Sequence, residues 1–370
     1  MLIKQMLQVI KLLGLRRAAR MKKRHEKALP LIRGYAATTC FWTLLNVGFW
    51  DELAAAPTGE LDLTQYCATN RFDRHVLDSV CSYLDGIRLV DFDESAGRVR
   101  LTKKSRELLA EPRGLFELLY AYEPVFVELE PMLRGQKKYG PDVQRRTRWV
   151  GLGSGRLCRQ LPYPVMIDMV RSFGRQCVLD LGCGDGAFLM ELAGRDPAIR
   201  GVGIDIDPPV VELANQQIGA SGLAERLQAT VADMFDLPKG GRDSLLGCPP
   251  AAKRPDAQAG EPVPPVDCLT ACDTFHEYLW DGDQRIIDLL AGLKATFPNA
   301  MLIVGEFCKQ SHQSLRRRPT AFLEHHLFHQ LTNQRIETAA RWRQIFAAAG
   351  LTIRQEKVFD LVGHGYFALG

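Results

Sequence analysis

Eleven consecutive residues constrain this chain more than any other stretch: Val178-Leu179-Asp180-Leu181-Gly182-Cys183-Gly184-Asp185-Gly186-Ala187-Phe188. The apolar opening suits a buried strand, the three alternate glycines a tight turn, and Ala187 and Phe188 the start of a helix. Glycine at 182, 184 and 186 lets the backbone turn sharply and lets a ligand approach where a Cβ would obstruct it. The spacing is G-x-G-x-G, one residue tighter than the G-x-G-x-x-G turn that cradles a pyrophosphate. Asp180, two positions before the first glycine, can reach the amino end of a ligand through the loop and water.

From residue 177 onward strand-like runs alternate with helical ones, at 177–181, 201–206, 227–231, 266–272, 301–306, 352–358 and 365–369. This predicts an α/β fold, a doubly wound, Rossmann-like seven-stranded sheet. Asp205 and Ile206 end the second strand, Asp233 and Met234 follow the third, and Cys272 ends the fourth. An acid at the tip of the second strand is suited to accept both hydrogen bonds of a ribose diol. Ten of the 27 residues at 239–265 are Gly or Pro, which predicts a surface loop, either a mobile flap or a tolerated insertion.

Upstream, residues 2–15 have the spacing of an amphipathic helix, and residues 1–34 hold ten Lys or Arg against Glu26 alone. The arm is thus +9 and the remainder −5, so any nucleic-acid or membrane surface must be met by the arm. It either touches an anionic membrane peripherally through residues 1–24 or packs in a dimer; packing is the preferred reading. Helical segments at 36–47, 63–69 and 72–84 and a hairpin at 89–93 and 98–102 predict a mostly helical winged-helix domain. Its would-be recognition helix mixes Asp73 and Asp78 with Arg71, Arg74 and His75, so homodimerisation is expected and nucleic acid is not. The predicted organisation is an arm at 1–34, the winged-helix domain at 35–109, a helical connection and pocket roof at 110–172 with a glycine break at 151–155, and the sheet domain at 173–370.

No apolar run is long enough for a membrane span. Lys4 and Lys11 interrupt the early apolar stretch, and the first serine is Ser79, which disfavours secretory and transit signals. The ten cysteines stand singly, so a reduced, cytoplasmic protein is expected.

The glycine turn, Asp205 and the Asp233-Met234 pair together resemble the class I S-adenosylmethionine-dependent methyltransferases, over about residues 177–370. The resemblance implies that Gly182, Gly184 and Gly186 line the methionine portion, Asp205 binds the ribose, and Asp233 with Met234 holds the adenine. Asp180, Ile206 and Cys272 complete the candidate cofactor set. The N-terminal module is similar to that of small-molecule methyltransferases, whose first domain dimerises and roofs the pocket.

Cys272-Asp273-Thr274-Phe275-His276-Glu277-Tyr278 follows the fourth strand, and His276 resembles the general-base histidine of small-molecule O-methyltransferases. Phe297-Pro298-Asn299-Ala300 stands where those enzymes usually carry Pro-Gly-Gly. Glu306 and the group His325, His326 and His329 come next. His276, Glu306 and His329, or His326 in its stead, would make a two-histidine, one-carboxylate set suited to Fe(II) or Zn(II), similar to the α-keto acid C-methyltransferases. Glu306 could instead orient His276.

The expected function is methylation of a small-molecule metabolite, preferably metal-assisted C-methylation of an α-keto acid. The alternatives are metal-free O-methylation with His276 as base, a cofactor-sensing DNA-binding regulator, and a peripheral lipid-modifying enzyme.

Overall fold

The computed structural model describes residues 2–239, 248, 265–317 and 320–370, which form two compact units, Met1–Phe116 and Glu117–Gly370. In the first, helix Leu2–Leu13 ends at Gly14, whose φ of 76° turns the chain into helix Leu15–Asn46. That helix is unbroken at residue 34, so the expected arm and the first helix of the following module are one element. Helix Phe49–Ala55 follows, then strand β1 (Glu60–Asp62), which the sequence reading did not anticipate.

Helices Leu63–Asn70 and Arg74–Gly86 each start at an aspartate. Asp62 accepts from the amides of Thr64 and Gln65, and Asp73 accepts from that of Val76. Asp73 is therefore the exposed N-cap of helix Arg74–Gly86 rather than a residue within it. Strands β2 (Val90–Asp93) and β3 (Arg98–Leu101) pair antiparallel, and β1 adds to β3, in the order β1-β3-β2. Glu60 accepts from Arg98 and Arg100 across this sheet, at 3.1 and 2.7 Å. Phe41, Phe49, Trp50, Leu53 and Leu84 fill the core beneath.

The second unit carries the sheet: β4 (Cys177–Leu181), β5 (Arg200–Asp205), β6 (Leu227–Val231), β7 (Cys268–Cys272), β8 (Met301–Phe307), β9 (Ile353–Phe359) and β10 (His364–Leu369). The order is β6-β5-β4-β7-β8-β10-β9, parallel except for β10, which runs antiparallel to β8 and β9. All five residues of β4 are buried, as a central strand covered on both faces requires. Helices Gln284–Thr296 and Ala339–Ala348 pack on one face, and Pro162–Ser172, Ala187–Arg195 and Pro208–Ala220 on the other. Because β4 has β5 on one side and β7 on the other, the connections diverge there and leave a crevice beyond the carboxyl ends of these strands.

Two expectations need correction. The glycines at 151–155 do not break the chain; they lie within helix Thr147–Cys158. Gly153 and Gly155 are buried, and a Cβ on Gly155 would stand 3.7 Å from the Asp185 carboxylate, so small residues let this helix approach the glycine turn.

Nor do all ten cysteines stand alone, since Cys177 and Cys248 form a disulfide with Cα atoms 5.6 Å apart. Seventy-one residues separate them, and nothing in local spacing signals the pairing. It holds residue 248 at the amino end of β4, away from the crevice; the rest of the anticipated loop, 240–247 and 249–264, lies outside the described residues. Among the described residues no helix is long and apolar enough to cross a membrane.

Candidate active site

The glycine turn is fixed from two sides. The amides of Gly182 and Cys183 both donate to the Ile204 carbonyl at 2.9 Å, which ties the turn to β5. Gly182 has φ 71°, and a Cβ there would stand 2.8 Å from Thr274 Cγ2, so only glycine fits. The Gly184 amide donates to Asp205 Oδ2 at 3.1 Å, and Asp205 Oδ1 accepts from the Asp207 amide at 3.1 Å. Burial raises the Asp205 carboxyl against the pull of these amides.

Asp180 lies at the floor, accepts from the Thr270 hydroxyl at 2.6 Å, and is pushed up to about 7 by burial. Ile206 is exposed just past the end of β5. Asp233 accepts from the Phe235 amide at 2.9 Å, whereas Met234 is packed in the core next to it.

Beyond β7 the chain enters a left-handed step at Asp273, φ 51°, and then a short 3-10 turn, Phe275–Tyr278, that carries His276. The His276 ring is buried, and its Nδ1 donates to Glu306 Oε2 at 2.9 Å. Glu306, at the end of β8, also accepts from the amides of Thr274 (3.0 Å) and Phe275 (2.5 Å) through Oε1. Burial pulls the His276 imidazole down in basicity, but the Glu306 charge more than offsets this and leaves it raised.

Of the three later histidines, His329 is the one brought to His276, with ring centroids 4.8 Å apart. Its Nδ1 donates to the His325 carbonyl at 2.5 Å, and burial, followed by the nearby His276, holds it well below the ordinary imidazole value. Burial likewise drops His325 to about 4. His276, His325, His329 and His364 all pack around the Phe307 ring, 5.2–5.6 Å between centroids. His326 points elsewhere, toward the charges of Lys309 and His312.

The three-ligand set His276, Glu306 and His329 does not stand as anticipated. Glu306 binds the Nδ1 side of the His276 ring, so a metal on Nε2 would face away from it. Its hydrogen bonds suit Glu306 to orient the His276 ring rather than to bind the metal. The free ring nitrogens are the Nε2 atoms of His276 and His329, which have no hydrogen-bond partner among the described residues. Two imidazoles, one of them kept neutral, suit a divalent ion whose remaining positions are filled by ligand oxygens.

Several residues around this pair escaped the sequence reading. Asp273 Oδ1 accepts from His364 Nε2 at 2.6 Å, and Oδ2 accepts from the Cys158 thiol at 3.4 Å. The ligand atoms of Cys158, Cys272 and Asp273 lie within 4.8 Å of one another. The hydrogen bond with Cys158, then burial, pushes the Cys272 thiol well up, so it is not presented as a thiolate. Arg145 is partly buried and donates to Glu277 Oε1 at 2.7 Å and to the Tyr122 hydroxyl at 3.2 Å, while Gln334 donates to Glu277 at 3.2 Å. Glu277 could have been singled out as the neighbour of His276; Arg145 and His364 carry no local signal, being brought in by distant elements.

A parallel sheet closed by an antiparallel β10, with its glycine turn and acids at the crevice, is the architecture of the class I methyltransferases. Residues 178–245 match the family model of a methyltransferase domain, and the chain is a class I S-adenosylmethionine-dependent methyltransferase. It is similar to the 2-ketoarginine methyltransferase of Streptomyces arginensis, 26% identical over 341 residues and covering 90% of both chains. Over 236 residues it is 36% identical to the 3-hydroxy-5-methyl-1-naphthoate 3-O-methyltransferase of Streptomyces sahachiroi, covering 58% of this chain and 65% of that one. In fold it resembles human N-acetylserotonin methyltransferase, solved in complex with S-adenosylmethionine, with a TM-score of 0.64, 16% identity and coverage of 94% and 97%.

Proposed function

We propose that this enzyme moves a methyl group from S-adenosylmethionine to the carbon beside the keto group of a small α-keto acid. The observation that carries the reading is the His276–His329 pair, 4.8 Å apart, with both Nδ1 atoms committed elsewhere and both Nε2 atoms free. An O-methyltransferase base needs one such imidazole. The 2-ketoarginine methyltransferase, similar over nine-tenths of both chains, points to the same acceptor class.

The cofactor would lie over Gly182, Gly184 and Gly186, with its ribose at Asp205, its adenine at Asp233 and Ile206, and its amino group above Asp180. His276 and His329 would hold a divalent ion, Fe(II) or Zn(II), which when bound supplies Lewis-acid polarisation of a keto oxygen and acidifies the adjacent C–H. Arg145, partly buried beside Glu277 and close enough to His329 to depress its basicity, is suited to receive the substrate carboxylate. Glu306 would fix the His276 ring through Nδ1 and so leave Nε2 free to hold the ion. The carbon beside the keto group gives its proton up to water, the C–H electron pair forms the new C–C bond, and the S–C bond breaks to release a neutral thioether.

The second reading is O-methylation with His276 as the sole base. It is favoured by the His276–Glu306 hydrogen bond, which raises imidazole basicity without any metal, and by the similar naphthoate O-methyltransferase. His329→Ala separates the two. C-methylation predicts loss of both activity and bound metal, read by elemental analysis of protein purified without chelator; retained activity and no metal in either form would sink it.

The N-terminal unit is read as a winged-helix dimerisation module. Leu29, Leu31, Ile32 and Tyr35 stand exposed along helix Leu15–Asn46 and would be covered by a second copy. Sedimentation of the full chain should give a dimer; a monomer that co-sediments with anionic vesicles would instead assign the arm to a membrane surface.

A further inference from the structure

We infer that the Asp273 carboxylate is the electrostatic partner of the cofactor's sulfonium, held between the glycine turn and His276. The inference rests on the methyltransferase assignment and on His276 as the reaction centre. The methyl group has to lie between the turn that binds the cofactor and the histidine that faces the acceptor. Asp273 is the residue at that junction.

Its neighbour Thr274 closes on the turn, donating to the Leu181 carbonyl at 3.3 Å and filling the space a Cβ on Gly182 would need. His276 stands three residues beyond Asp273. The Asp273 backbone is anchored to β8 through its amide, which donates to the Gly305 carbonyl at 2.8 Å. A non-glycine residue at φ 51° costs conformational energy, which persists where the side chain has a task at that point.

The carboxylate is built to stay charged. Its side chain is only 10% exposed, and burial alone would raise it, but His364 followed by His276 holds it below the ordinary carboxylate value. His364 is its hydrogen-bond partner. Its Nε2 donates to Asp273, its Tyr366-stacked ring is buried, and its Nδ1 has no partner. The thiols of Cys158 and Cys272 add polarisable, uncharged walls. In such a setting a carboxylate attracts a sulfonium far more strongly than it would in water, and the attraction vanishes once the methyl has left.

The test compares ligands that differ in charge at one atom. Binding of S-adenosylmethionine, S-adenosylhomocysteine and sinefungin, which carries a protonated amine in place of the methylsulfonium, is measured by calorimetry for the wild type and Asp273→Asn. Asparagine tolerates the left-handed backbone and keeps an acceptor for His364. The variant should bind the two cationic ligands about tenfold or more weakly, the size of one lost charge-assisted contact. S-adenosylhomocysteine should bind within about threefold of wild type, which also reports that the variant is folded. Equal weakening of all three ligands, or unchanged S-adenosylmethionine affinity, overturns the inference. A wild-type chain that binds none of them overturns the cofactor-site assignment on which it rests.

Discussion

The Nδ1 of His276 and the Oε2 of Glu306 lie 2.9 Å apart, and the other Glu306 oxygen takes two backbone amides of the turn that carries His276. One carboxylate thus fixes the ring tautomer and the backbone that holds the ring. Glu306→Gln keeps the shape but removes the charge and offers a competing N–H. Turnover should fall about 10- to 100-fold, the usual effect of losing such a partner, with S-adenosylmethionine affinity little changed. Initial rates of labelled methyl transfer, with separate cofactor titrations, check this.

Gly182 should be the least replaceable glycine of the turn. At φ 71°, with Thr274 Cγ2 2.8 Å from any added Cβ, Gly182→Ala combines backbone strain with a side-chain clash. A loss of about 1–3 kcal/mol in stability is expected from the strain alone, measured by denaturant titration. Adding Thr274→Ser removes Cγ2 and should restore only the steric share, leaving the φ penalty in place.

Asp180 gives a pH dependence with a definite sign. In the ligand-free fold its carboxyl is pushed up to about 7, so the folded chain keeps a proton that the unfolded chain releases in the ordinary carboxylate range. Its contribution to stability is complete in acid and is lost as pH rises toward 7, at up to about 1.4 kcal/mol per unit, then levels off. Asp180→Asn should remove this component, so that the variant gains on wild type between pH 5 and pH 7–8. Thermal melts of the ligand-free proteins across that range give the difference; parallel curves would count against it.

The sheet was largely legible because buried parallel strands are short apolar runs, as at 177–181, which Gly182 follows, and 301–305. The candidate cofactor residues stand at strand ends as expected for a related reason: Asp180, the glycines and Asp205 are read directly off strand tips. What was not legible depends on contacts between distant segments. Nothing near His364 announces Asp273, 91 residues away in sequence, and nothing near Arg145 announces Glu277. Strand β1 escaped because three residues carry too little alternation to register, and the Gly153 and Gly155 break became a helix because close packing on Asp185 overrode glycine's propensity. Glu306 was read from the sequence as either a ligand or the group that orients His276, and only the hydrogen bond to His276 Nδ1 distinguishes those geometries.

The position of the new bond tests the central claim most directly. The wild-type enzyme is incubated with S-adenosylmethionine carrying a 13C methyl group and a panel of α-keto acids with cationic, aliphatic and aromatic side chains, and the products are read by NMR. C-methylation predicts a labelled methyl resonance in the aliphatic region, coupled to a methine proton on the carbon beside the keto group. A labelled resonance in the methoxy region, without that coupling, would contradict it.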